Sequence, residues 1–138
     1  MKLAAFVEKA NVLLWEALKD FSMGCYNKAV SAFWFSIEQL LRAIIYFYKR
    51  SVYERSGKLI GVFSSLPYGR NKEIIVSLNT LYNLRRIADH TPRIIDKKKL
   101  YHVTQLVCVI VEYLTQILEK IGISTEDLKE TISKLPKD

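Results

Sequence analysis

Proline and glycine are scarce in this chain, at three and five of 138 residues, so little interrupts its long elements. Cysteine is scarcer still. Cys25 and Cys108 stand far apart in apolar surroundings and fit no metal-ligand spacing, so they read as small buried hydrophobes. With only two histidines, the four close N, S or O ligands of a zinc site are not on offer, and no metal or cofactor is expected. No run of eighteen consecutive apolar residues occurs, and the opening "MKLAAFVEKANVLLWEALKD" carries charge every few residues. These absences predict a soluble, cytoplasmic protein.

What is present is hydrophobic periodicity. Half the residues are apolar and a quarter charged, and the length suits one domain over 1–138. Apolar residues recur at the helical period from Leu3 to Phe21. After the break at "SMGC", a second helix over Tyr26–Lys49 is apolar around most of its circumference. Only a strip near Lys28, Ser31, Glu38, Gln39 and Arg42 is polar, which predicts a central helix touching several neighbours. A loop-rich middle holds a short helix from Lys58 to Ser65, ended by Pro67 and Gly69. Its "SGK" lacks the upstream glycine and the following Ser or Thr of a phosphate loop.

Asn71 caps a third long helix running to about Asp89, and Asp96 caps a fourth that stops at Gly122. Ser124 begins a short final helix with Glu126 and Asp127 in its first turn. The fold class is therefore all-α, an up-and-down bundle of four or five helices. On the fourth helix Leu106, Val109 and Tyr113 lie beyond the edge of the core stripe. Apolar surface in excess of the ~100° stripe of an ordinary surface helix predicts a partner face, and hence a homodimer.

Net charge is +7, and the window from Arg70 to His102 carries five of those charges. Clustered cations attract polyanions, although a solvated basic face has the same composition. Within this window, "LRRIADHTPR" places Arg85 and Arg86 just ahead of His90. On a helical wheel Arg85 points into the apolar face formed by Ile74, Leu78, Leu81, Tyr82 and Ala88. Two readings are open. Arg85 and Asp89 form a structural i, i+4 pair at a helix end, or Arg85 is a cleft arginine acting with His90. In an unbroken helix Arg85 and His90 diverge by about 140°, whereas Arg86 shares a face with His90. Convergence of Arg85 and His90 therefore requires the helix to end near Asp89, or two copies to meet.

The opening hairpin with "YNKAVSAFWFSIEQLLRAII", followed by "LYNLRRIADHTPR", resembles the HEPN domain family, small α-helical bundles whose signature is an Arg followed after four to six residues by His near a helix end. Most of the chain is covered by the resemblance, and Arg85 and His90 match the signature. It implies a metal-independent ribonuclease at a dimer cleft, with Arg85 and His90 as catalytic residues. There, Arg85 would hold the scissile phosphate and His90 would exchange protons with the ribose 2′-hydroxyl or the leaving oxygen. Arg86, Arg93, Lys97, Lys98 and Lys99 would bind the RNA backbone. Two positions depart from the family pattern: Arg86 stands where active members often carry a small polar residue, and Pro92 where the toxin–antitoxin branch carries Tyr. Non-catalytic relatives bind a nucleotide or a protein such as a nucleotidyltransferase, which is the alternative the resemblance offers.

Overall fold

The computed structural model describes residues 2–137, the side chain of Lys2 excepted. Among them are six α-helices and one 3-10 turn: α1 (Lys2–Ser22), α2 (Tyr26–Lys49), α3 (Ser56–Ser64), the turn Pro67–Gly69, α4 (Lys72–His90), α5 (Lys97–Lys120) and α6 (Glu126–Ile132). No strand occurs among the described residues. The all-α expectation holds. The short third helix starts earlier than its pattern suggested, and the Pro67–Gly69 stop is itself a helical turn.

α1 and α2 form an antiparallel hairpin, tied by the Ser36 hydroxyl donating to the Ala10 carbonyl at 2.7 Å. α4 lies antiparallel to α2. Tyr82 meets Trp34 edge-to-face at 5.3 Å, and one turn further on Arg85 lies over Phe35. α5 starts beside the α1–α2 turn, where Tyr101 packs on Phe21 with ring centroids 5.3 Å apart. Gly122 ends that helix with φ +88°, a conformation glycine adopts at no cost. α6 then packs back against α1 and α5, and Thr131 donates to Asn11 at 2.6 Å.

The core runs through every helix, and α2 is its centre. Trp34, Phe33, Ile37, Leu40, Leu41, Ile44 and Ile45 are fully buried. Glu38 and Gln39 are buried as well, so past the exposed Lys28 the polar strip of α2 is no solvent face. It is covered by the segment between α2 and α3 and by α4. Arg42 donates to the Tyr53 and Glu54 carbonyls, each at 2.9 Å, and Ser56 donates to the Glu38 carboxylate. That bond draws Ser56 into the first turn of α3, two residues before the expected start.

On α5 the expected core stripe from Leu100 to Ile121 is buried through Leu118 and half-buried at Ile121, and Gln105, Glu112, Gln116 and Glu119 are exposed. The surplus apolar strip is partly absorbed within the chain. Tyr113 is half-buried and donates to the Tyr68 carbonyl at 2.5 Å, while Val109 stays 50% exposed. By length and mean hydropathy α2 and α5 are each long enough and apolar enough to cross a membrane; their most apolar windows are 78% and 50% buried within this fold.

Burial raises the Glu38 carboxyl above its ordinary value of 4.5, opposed by the nearby Arg42 and Arg85 cations and the Trp34 indole. The folded protein thus binds this proton more tightly than the unfolded chain. The stability Glu38 contributes is full in acid, below the unfolded value, and is lost as pH rises through the raised folded value. In urea unfolding between about pH 4 and pH 7, Glu38→Gln should therefore gain stability relative to wild type as pH rises. A relative loss over that interval would contradict the assignment.

Candidate functional site at the α4–α5 junction

The junction is built from α2. Asn27, in the first turn of α2, donates to the Ala88 and Arg93 carbonyls, each at 3.1 Å. Its side-chain oxygen accepts from the Ile95 amide at 2.9 Å. One amide side chain thereby satisfies three backbone groups on both sides of the turn, of which the Ala88 carbonyl and the Ile95 amide are partly buried. Asn71 and Asp96 cap α4 and α5 as expected, accepting from Ile74 N at 3.2 Å and Lys99 N at 2.7 Å.

Arg85 faces inward, its side chain 18% exposed. Its Nε lies 3.1 Å from Asp89 Oδ2, although this N–H is not aligned on any acceptor. The guanidinium carbon sits 5.2 Å from the centroid of Phe35, and the cation also reaches the field of Glu38. Ser31 donates to the other carboxylate oxygen of Asp89. Arg85 is therefore held by an ion pair that is itself held from α2, and the i, i+4 pairing anticipated for Arg85 and Asp89 is present.

His90 is elsewhere. α4 remains helical through His90, and only Thr91 turns extended, with φ −124° and ψ 161°. A proline restricts the residue directly before it, so Pro92 acts on Thr91 and leaves His90 in the helix. The Thr91 hydroxyl also bonds back to the Ile87 carbonyl at 2.7 Å, closing the last turn. His90 is exposed and shares a shallow depression of about 470 Å³ with Asn83, Arg86, Ile87 and Thr91. Arg85 does not line it. Within one chain the structure thus groups His90 with Arg86 and groups Arg85 with Asp89, Ser31 and Phe35.

The remaining cations surround the turn. Arg86, Arg93, Lys97, Lys98 and Lys99 are all exposed. Arg86 lies over Tyr82 at 6.0 Å and Lys97 over Tyr101 at 5.9 Å, while none of the five pairs with a carboxylate among the described residues. Lys97 to Lys99 occupy the first turn of α5, where the helix dipole is positive and cations are unfavourable. Lys98 and Lys99 make no ion pair or ring contact among the described residues, and Lys97 has only its contact with Tyr101. Among the described residues no group of three or more His, Cys, Asp or Glu side chains is placed to hold a metal ion. His102 is exposed on α5.

Asn27 and Phe35 were not singled out from the sequence, and Ser31 only as part of the polar strip of α2. Their signal was the i, i+4, i+8 spacing along one line of α2.

A double-mutant cycle on Arg85→Ala and Asp89→Ala should give a coupling of about 1 kcal/mol in urea unfolding, at the upper end for ion pairs that keep some exposure. Ser31→Ala should reduce that coupling. Strict additivity of the two single variants would show the pair to be incidental.

The chain matches no family model, and no curated protein is significantly similar to it.

Proposed function

We propose that this chain is a HEPN-like module that binds RNA along the basic α4–α5 junction and works as a cytoplasmic homodimer. One observation carries the reading: five exposed cations, free of carboxylate partners, gather around a turn that Asn27 holds in place. Three of them stand at a helix N-terminus, where the helix dipole disfavours cations. A phosphate backbone reverses that cost, because its negative charge meets both the lysines and the positive end of the helix.

His90 lies beside this surface with Arg86, in position to meet a strand bound there. The resemblance pairs it with Arg85 for cleavage. The 2′-oxygen would attack phosphorus as one His90 takes its proton, and the 5′-oxygen would leave with a proton from a second His90. Arg85 would stabilise the charge on the phosphoryl oxygens. Because Arg85 and His90 diverge on one helix, this chemistry draws on two copies across a two-fold axis. A second reading is favoured by the commitment of Arg85 to Asp89 and Ser31. There the chain is a non-catalytic module, its basic end binding a nucleotide or a nucleotidyltransferase partner.

RNA binding and cleavage in EDTA separate these outcomes. Lys97→Gln/Lys98→Gln/Lys99→Gln should lower the slope of log affinity against log salt by about 2 for single-stranded RNA. An unchanged slope would remove the junction from the binding surface. Cleavage by wild type that is lost in both Arg85→Ala and His90→Ala identifies the ribonuclease. RNA bound but left intact by wild type identifies the non-catalytic module.

A further inference from the structure

The opposite end of the bundle carries cations of another kind, interleaved with aromatic rings. α2 ends at Lys49, and Arg50 closes it in the left-handed region, φ +56°, with its N–H bonded to the Tyr46 carbonyl at 2.8 Å. This conformation is uncommon for a residue with a side chain. It leaves the Arg50 guanidinium carbon 5.7 Å from the centroid of Phe47. Phe47 meets Tyr48 edge-to-face at 5.1 Å. Tyr48 in turn neighbours Tyr68 of the 3-10 turn, and burial together with that phenol pushes the Tyr48 hydroxyl up from its ordinary value. Lys120, the last residue of α5, places its Nζ 4.8 Å from the Tyr68 ring centroid.

Arg50, Phe47 and Tyr48 at the end of α2, with Tyr68 and Lys120 beside them, thus bring three rings and two cations from three elements to one end of the bundle. The rings are half-exposed and the two cations exposed. Neither cation pairs with a carboxylate among the described residues. Tyr68 is held rigidly, because its carbonyl accepts from Tyr113, and Gly69 lies so close to Phe63 that a Cβ there would come 1.7 Å from the Phe63 carbonyl oxygen. Exposed cation–ring contacts are weak, too weak to account for a fixed turn and a left-handed arginine by themselves.

We propose that this row is a platform for an unpaired nucleic-acid strand, with bases stacking on Phe47, Tyr48 and Tyr68 and phosphates meeting Arg50 and Lys120. Ring faces accept any base, and a cation resting on a ring can move to the phosphate as the base takes its place. A duplex keeps its bases stacked inside and gains only the charge contacts. The platform does not rest on the reading of Arg85, His90 or the lysines. The 19 residues of α4 separate the two ends by about 28 Å.

The test uses the full chain and fluorescence anisotropy with a labelled 12-nucleotide oligouridine, a 12-base-pair RNA duplex, and phosphatidylserine vesicles. Tyr48→Leu and Tyr68→Leu should each weaken oligouridine binding by about five-fold or more. Both should leave duplex binding and the melting temperature unchanged. Arg50→Asn/Lys120→Gln should reduce the salt dependence of oligouridine binding, asparagine being tolerated in the left-handed region. Ultraviolet crosslinking of 5-iodouridine RNA should mark Phe47, Tyr48 or Tyr68. Equal losses for duplex and oligouridine would overturn the proposal in favour of charge alone. Undiminished oligouridine binding in both tyrosine variants would overturn it outright. Loss confined to vesicle binding would assign the row to a membrane surface instead.

Discussion

The burial of α2 on nearly every side is the constraint on which the other elements depend. On a helix surrounded by its own chain each polar group left without a partner costs on the order of 1–3 kcal/mol, and the Trp34 indole nitrogen is one that has no aligned acceptor among the described residues. α2 nevertheless carries Asn27, Ser31, Ser36, Glu38 and Arg42. Each is resolved by drawing a neighbour onto it. Ser36 takes a carbonyl of α1, Arg42 takes two carbonyls of the following loop, and Glu38 takes Ser56 at the start of α3. Asn27 and Ser31 take the end of α4. The polar residues of the central helix therefore set where the surrounding segments lie, while its apolar residues provide the burial that holds them there.

The same constraint distributes the charge. With α2 closed off and the inner faces of α4 and α5 apolar, most of the positive excess lies toward the two ends of the bundle. One end gathers Arg86, Arg93 and three lysines about the α4–α5 turn; the other sets Arg50 and Lys120 against aromatic rings. Arg42, held by Glu38 and two loop carbonyls, and Arg85 remain inside. For Arg85 the compensation is different. It is tolerated because Asp89 and Glu38 supply opposite charge and Phe35 supplies a π face. An arginine so compensated is a sound structural element, and in a single chain it is no partner for His90.

Much of this was legible in the sequence because helical periodicity is a strong signal in long, proline-poor segments. The four long helices, the Asn71 and Asp96 caps and the Gly122 stop follow from it, as does the inward direction of Arg85. Which segments cover the polar strip of α2 was not legible, because periodicity reports that a strip is polar but not what packs on it. The fate of His90 turned on one residue. Pro92 suggested a helix ending near Asp89, yet its steric effect falls on Thr91, and the Thr91 hydroxyl secures the turn before it. The aromatic row at the far end escaped notice because Phe47, Tyr48, Tyr68 and Lys120 lie on three separate elements.

The central claim is that α4 stays helical through His90, so that Arg85 and His90 leave one chain on different faces. Backbone 13Cα secondary chemical shifts across Arg85–Thr91 measure this directly. Helical shifts continuing to His90, with extended values only at Thr91, are the result expected. Coil shifts from Ala88 onward would contradict it and would free His90 to turn back toward Arg85 within a single chain.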